Sequence, residues 1–189
     1  MKLNLLNILF SFSFFSSVGW VLEVLYRSFA NRRFVNPGLL KGPYLILYGT
    51  GALALIVVIP YIQEYFFLVK VLAYLFVTTA LELFSALMAE KFFQARLWDY
   101  SKERFQFQGH ICLKFSFYWI VLAFGFEYLL FPLFQTMNNY IPYKIKLVFT
   151  IILISSILID FLFVIWNKLF RPRFLSCREK MLKEVFDEK

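Results

Sequence analysis

LEVLYRSFANRRF, residues Leu22–Phe34, closes an apolar run that begins near the start of the chain and is long enough to cross a bilayer. The stretch places Glu23 just inside that run and Arg27 one helical turn later, and two further arginines follow. About 20 apolar residues span the hydrocarbon core as a helix, and positive charge flanks such helices on the cytoplasmic side. The stretch therefore predicts the cytoplasmic end of a transmembrane helix.

The composition agrees with a protein that has lipid as its solvent. Of 189 residues, 61% are hydrophobic and only 17% are charged, whereas soluble domains are about half apolar and a quarter charged. A chain this short cannot bury so much apolar surface in one water-soluble core. The formal charge of +8 lies mostly between the apolar runs, which favours the bilayer as partner and argues against nucleic acid.

The residue types that carry catalysis or bind metals are scarce. Cys112 and Cys177 are far apart and form no CxxC pair, and His110 is the only histidine. No Ser-His-Asp arrangement can be assembled, and no Walker A motif is present. We therefore expect no catalytic residue, no metal site and no cofactor, which favours a protein that is not an enzyme.

Five apolar runs define the predicted spans. In lipid, a helix is the default because an irregular chain would leave its amide groups unpaired. The sequence thus predicts an all-α polytopic protein with a five-span transmembrane domain over residues 1–170 and a basic cytoplasmic tail over 171–189. The predicted spans are Leu3–Tyr26, Tyr44–Ile62, Phe66–Met88, Ile111–Phe134 and Leu147–Trp166.

The basic residues predict the orientation. Segments rich in lysine and arginine follow the first, third and fifth spans, and poorer segments follow the second and fourth. The positive-inside rule then places the N-terminus outside and the C-terminus in the cytoplasm. An odd number of spans agrees with that arrangement.

Two carboxylates in the spans are candidate site residues. Glu23 and Arg27 are four residues apart, so they share a helix face and can pair. Glu82 lies roughly 9 Å from the end of the third span at the helical rise of 1.5 Å per residue. Ionisable groups inside spans are costly and tend to face the bundle interior or water. Glu82 is a candidate ligand for a proton, a cation or a headgroup; the alternative for both carboxylates is structural pairing or packing.

The segment ARLWDYS, residues 95–101, supplies the rim of the expected site. Arg96 and Asp99 beside two aromatic residues suit an anion- or headgroup-binding corner, and an interfacial anchor is the alternative. We expect Glu23 or Arg27 to lie close to Glu82, Glu90 or Arg96. The complete set of predicted substrate-binding residues is Glu23, Arg27, Arg33, Tyr48, Glu82, Glu90, Arg96, Trp98, Asp99 and Tyr100.

Three blocks of the chain carry a family resemblance. GWVLEVLYRSFANRRFVNPGLLKGPYLILYGTGA, LELFSALMAEKFFQARLWDYS and FQFQGHICLKFS occur in that order between Gly19 and about Ser116. Together they resemble a mainly bacterial family of ABC-transporter type IV permeases (CmpB-like). The chain departs from the family pattern at four positions, Pro37, Ile46, Gln106 and His110. Matched positions are Trp20, Glu23, Arg27, Arg33, Gly38, Gly42, Pro43, Tyr48, Gly49, Glu82, Glu90, Trp98, Asp99, Tyr100, Ser101 and Gly109.

The resemblance implies a multi-pass transporter component in a bacterial cell membrane. The expected function is to bind or move a small or lipidic substrate through a polar site near the cytoplasmic side. An ATPase subunit is implied by the family label alone, and a homodimer would enlarge a bundle of only five spans. Two other functions stay open: a membrane-embedded lipid-modifying enzyme with the carboxylates as acid and base, and a non-catalytic scaffold or regulator.

The orientation is tested by labelling single cysteines introduced at loop positions. Cysteines at Gln63 and Asn139 are expected to react with membrane-impermeant maleimides added to intact cells, because both positions lie in the predicted outer loops. Cysteines at Asn31 and Gln94 are expected to react only after the membrane is permeabilised. The opposite labelling pattern would show that the orientation is inverted.

Overall fold

A computed structural model describes residues 4–187, with side chains up to Asn167. The protein is mainly helical, and its one sheet is a two-stranded antiparallel hairpin of strands β1, Gln106–Phe107, and β2, Ile111–Cys112. A π-helix, Phe126–Leu130, links two of the α-helices. These are α1 Leu5–Asn31, α2 Ile46–Ile62, α3 Phe67–Phe93, α4 Leu113–Gly125, α5 Phe131–Tyr140 and α6 Tyr143–Asp187.

Four helical segments have the length and apolar character needed to cross a membrane. The apolar helix α2 is shorter, with 17 residues, and is about 26 Å long at the helical rise. The prediction of an all-α membrane protein is thus confirmed at the level of its helices, while the orientation stays a prediction. The side chains of the predicted basic tail, 171–189, lie outside the described residues. The four segments are Leu5–Asn31, Phe67–Phe93, Leu113–Tyr140 and Tyr143–Asn167.

The fourth predicted span differs from the observed helices in two ways. Ile111 and Cys112 form β2, so α4 begins only at Leu113. The helical segment also widens to a π-helix at Phe126–Leu130. Pro132 follows that widening; proline has no N–H to donate to the carbonyl four residues earlier, and its ring crowds that carbonyl. Such a local mismatch is a known cause of π-bulges and kinks in helices.

The helices pack mainly against their neighbours in the chain. Helix α2 contacts α1 and α3, α3 also contacts α4, and α6 contacts α1. The core contains a cluster of aromatic rings from α1 and the α4–α5 segment, in which Phe15 lies 4.8 Å from Phe134 and 5.0 Å from Phe126 between ring centroids. Because consecutive helices run in opposite directions, the C-termini of α1 and α3 lie at the same end as the N-termini of α2 and α4. We call this the Glu82 end of the bundle.

Glycine allows the closest approach of α1 and α2. A Cβ atom on Gly49 would overlap the Ser16 hydroxyl and the backbone carbonyl of Phe12, whereas a Cβ atom on Gly51, two residues later, would meet nothing within 4 Å. Small residues permit close packing of membrane helices, and this packing is a main source of their association. Gly49 is therefore required by the interface, and Gly51 is not.

This difference predicts opposite outcomes for two similar substitutions. Gly49→Ala is expected to cost about 1–3 kcal/mol of stability, because backbone atoms of α1 cannot move away as a flexible side chain would. Gly51→Ala is expected to leave stability unchanged or slightly raised. Thermal unfolding of the detergent-purified variants measures both effects, and equal melting temperatures for the two variants would contradict the packing described.

Candidate functional site

A half-buried ion pair begins the polar cluster at the Glu82 end. The Nε atom of Arg27 lies 2.7 Å from Oε1 of Glu23, as the spacing of four residues predicts. The hydroxyl of Tyr48 on α2 donates to the other oxygen, Oε2, at 2.7 Å. Gly19 makes this possible, because a Cβ atom there would overlap the Tyr48 ring. The carboxylate of Glu23 thus has a cation on one oxygen and a hydroxyl donor on the other.

Glu82 lies within the bundle on α3 and is 1% exposed. Its Oε1 accepts a hydrogen bond of 3.0 Å from the Tyr100 hydroxyl. The Trp119 side chain on α4 also interacts with the carboxyl group, yet the buried Oε2 atom lacks a hydrogen bond of acceptable geometry. Glu23 is close enough to Glu82 for the two charges to repel. Tyr48 is within electrostatic range of both carboxylates, and its ring centroid lies 5.2 Å from that of Trp119.

Tyr100 reaches Glu82 from the α3–α4 loop, residues 94–112. Its ring stacks on Phe115 with centroids 4.4 Å apart, and its N–H donates to the carbonyl of Gly109. The neighbouring Trp98 donates its indole N–H to the His110 carbonyl at 2.7 Å. Burial, together with the Glu82 carboxylate, raises the pKa of the Tyr100 hydroxyl above its usual value. Because a raised pKa keeps the proton on, Tyr100 stays a hydrogen-bond donor at physiological pH.

The charged residues of the rim form a separate exposed network. Arg96 lies 3.4 Å from Glu90 and 3.3 Å from Asp99, and Nε2 of His110 is 3.1 Å from Glu90. The N–H of Ser101 donates to Asp99 and holds the pKa of its carboxyl group below the usual range, with a smaller contribution from Arg96. No hydrogen bond or ion pair in the described part of the chain joins this network to Glu23 or Glu82.

Eight of the ten predicted site residues therefore fall into two groups. Glu23, Arg27, Tyr48, Glu82 and Tyr100 form a cluster between α1, α2, α3 and the α3–α4 loop, and we call it the Glu82 cluster. Glu90, Arg96 and Asp99 lie in the exposed rim, and Trp98 links the loop to its own hairpin. Arg33 is exposed, with no hydrogen bond or ion pair in the described structure.

Sequence reasoning missed Trp119, which the structure brings to both Glu82 and Tyr48. Trp119 lies in an apolar run, where a large aromatic residue is indistinguishable from a lipid-facing one. Trp119 follows Ser116 by three residues, so the two share a face of α4. In the structure Ser116 accepts a hydrogen bond from Thr79 on α3, so this face is turned toward α3. The small polar residue in an otherwise apolar run is the one signal of this in the sequence.

The other carboxylates in the spans have their charges compensated. Glu127 accepts hydrogen bonds of 2.7 Å from both the Lys70 ammonium and the Tyr74 hydroxyl. Asp160 accepts the backbone N–H groups of Lys41 and Gly42.

Glu82 differs from Glu23 and Glu127 in having no cation, and from Asp160 in having one hydrogen-bond donor of good geometry instead of three. Glu127 has a lysine and Glu23 an arginine, whereas no lysine or arginine among the described residues lies within ion-pair distance of Glu82. An isolated charge away from water is costly, so such a carboxyl group either keeps a proton or holds a positively charged or hydrogen-bond-donating ligand.

Comparisons with known proteins place the chain in a family. No curated protein and no solved structure matches it. A family model described as "Putative ABC-transporter type IV" matches residues 10–165. This range includes the whole Glu82 cluster and most of the helical bundle. The chain therefore belongs to the ABC-transporter type IV family (CmpB-like), and is an ABC-transporter-related membrane protein.

Proposed function

We propose that the protein is the membrane component of a transporter and binds a small or lipidic substrate at the Glu82 cluster. The observation that carries the proposal is the buried carboxyl group of Glu82. One of its oxygens accepts from the Tyr100 hydroxyl, the other lies near Trp119 without a hydrogen bond of acceptable geometry, and no cation of the described residues pairs with it. A group maintained at such a cost is more readily explained by binding than by packing. Under the orientation predicted from the basic residues, the cluster lies near the cytoplasmic side.

The charges of the cluster favour a particular substrate chemistry. Arg27 and Glu23 form an ion pair at 2.7 Å. The carboxyl group of Glu82 is therefore the acidic group of the cluster that has no cation among the described residues. A substrate with an ammonium group, or with a hydroxyl or amide donor, would supply the missing hydrogen bond to Oε2. The aromatic faces of Trp119 and Tyr48 beside it would also stabilise a cation through cation–π interactions. An anionic group at this position would be repelled by both carboxylates.

The α3–α4 loop offers a way to couple the site to an ATPase partner. Tyr100 in this loop donates directly to Glu82, while Arg96, Lys102 and Arg104 of the same loop are exposed. A partner that pulls on the exposed side would withdraw the Tyr100 hydroxyl and leave Glu82 without its donor, which changes the affinity of the site. A second copy of the chain would provide additional helices for a translocation path.

The first test uses dicyclohexylcarbodiimide, an apolar reagent that modifies protonated carboxyl groups in lipid. Treatment of the purified protein is expected to modify Glu82, detected by peptide mass spectrometry, because this buried group has no cation to keep it ionised. Glu127 is expected to resist, since its oxygens already contact the Lys70 ammonium and the Tyr74 hydroxyl at 2.7 Å. Phosphatidylethanolamine, used as a probe with an ammonium group, is expected to slow modification of Glu82.

Two variants control the carbodiimide experiment. Glu82→Gln is expected to abolish the modification while the protein keeps its melting temperature, because the amide preserves shape and one hydrogen-bond acceptor. Glu64→Gln, which changes an exposed carboxylate outside the cluster, is expected to leave the modification unchanged. Failure to modify Glu82, or modification that every added lipid slows equally, would argue against a binding site with this selectivity.

The second test concerns the ATPase partner. Purification of the protein from its native membrane in mild detergent is expected to recover an ATP-hydrolysing subunit, identified by mass spectrometry and by ATPase activity of the complex. Replacing Arg96, Lys102 and Arg104 together by glutamine is expected to reduce its recovery, since these exposed cations lie on the loop proposed to contact it. Absence of any ATPase from the wild-type preparation would favour a scaffold or an enzyme instead.

A further inference from the structure

A second polar feature lies on the outside of the bundle, away from the Glu82 cluster. The segment Lys41–Tyr44 packs against α6 and leaves a groove of about 720 Å³ between them. One end of the groove is polar and includes Lys41 and Asp160, and the remainder is lined by α6 with Ile152, Ile159 and, between them, Ser155. These isoleucines are 60% and 69% exposed, so in a membrane they face lipid.

The polar end is held in place by a fixed set of hydrogen bonds. Oδ2 of Asp160 accepts the N–H of Lys41 at 2.7 Å, the N–H of Gly42 at 2.8 Å and the hydroxyl of Tyr44 at 3.1 Å. The Tyr44 hydroxyl also lies 3.0 Å from the Ser156 carbonyl. The loop is therefore docked on α6, and these three donors occupy Oδ2 of Asp160.

The ammonium group of Lys41 is left without an anion. Its Nζ atom lies 4.6 Å from the centroid of the Phe163 ring, and no carboxylate of the described residues is within ion-pair distance of it. The side chain is exposed at the mouth of the groove. An uncompensated cation on a fixed backbone, next to a lipid-facing groove, attracts the phosphate of a lipid headgroup.

The length of the groove fits one half of a bilayer. Its lining runs along α6 from Ile151 to Phe163, about 18 Å at the helical rise, compared with about 15 Å for half of the hydrocarbon core. The apolar residues lie deeper in the span, and the polar group lies at its end. This order of cation first and apolar surface second is the order of a headgroup and an acyl chain.

We propose that this groove binds one anionic phospholipid, with the phosphate at Lys41 and one acyl chain along the isoleucines of α6. Charge selects the class of lipid, because the exposed Lys41 ammonium has no ion pair among the described residues, whereas Oδ2 of Asp160 already accepts three hydrogen bonds. Binding of an anionic lipid in this groove does not depend on the Glu82 cluster or on the side of the membrane at which the Lys41–Tyr44 segment lies. Such a lipid would hold the Lys41–Tyr44 segment, which precedes α2, against α6.

Native mass spectrometry of the detergent-purified protein tests this proposal. Phosphatidylglycerol is expected to bind with a stoichiometry of one, at least about fivefold more tightly than phosphatidylcholine with the same acyl chains, the factor expected from one lysine at a headgroup. Lys41→Gln is expected to remove that preference. Lys144→Gln, at an exposed lysine near the other end of α6, is expected to retain it.

A pair of bulky substitutions tests the acyl-chain half of the groove. Ser155→Trp is expected to fill the groove and weaken binding of both lipids, and Leu158→Trp, at an exposed position of the same helix outside the groove, is expected to bind as the wild type does. Melting temperatures verify that the variants are folded. Equal affinity for the two lipids, an unchanged preference in Lys41→Gln, or equal binding by the two tryptophan variants would overturn the proposal.

Discussion

A carboxylate removed from water must be supplied with hydrogen-bond donors, and this requirement organises the polar parts of the bundle. Three acidic side chains of the described part of the helices tie separate elements together: Glu23 joins α1 to α2, Glu127 joins the π-helix to α3, and Asp160 joins α6 to the Lys41–Tyr44 segment. In lipid these contacts replace much of the role that hydrophobic burial has in water, because apolar side chains gain little by leaving lipid tails for one another.

Glu82 departs from this pattern because its set of hydrogen-bond donors is incomplete. Its donor, Tyr100, comes from a loop and not from a helix, and one carboxylate oxygen has no partner of good geometry. A buried pair such as Lys70–Glu127 is satisfied by its own side chains and resists change, since removal of either partner leaves an uncompensated charge. A carboxyl group that depends on a loop can exchange partners at lower cost. The same physical rule thus separates the structural carboxylates from the candidate binding site.

The sequence predicted those features that depend on residues close together in the chain. Apolar length predicted the helices, because every backbone amide in lipid must pair within its own segment. The spacing of Glu23 and Arg27 predicted their ion pair, because residues four apart lie on the same face of a helix. The cluster could be anticipated only in part, since Tyr48 and Tyr100 reach their carboxylates across helices and a loop. Trp119, the widened turn before Pro132 and the amides that satisfy Asp160 depend on tertiary contacts, which periodicity and charge do not encode.

The α3–α4 loop shows how tertiary geometry builds the candidate site. Helix α3 ends at Gln94 in a left-handed conformation, and Gly109 has a positive φ of 72° beside Asp99, where a Cβ atom would crowd the carboxylate. These turns fold the loop back so that the N–H of Tyr100 meets the Gly109 carbonyl and its ring stacks on Phe115. The hydroxyl group is thereby aimed at Glu82, while the loop's charged side chains remain exposed. One short segment thus connects the buried carboxyl group to the protein surface, and a change of the loop that moves the Tyr100 hydroxyl would remove the donor of Glu82.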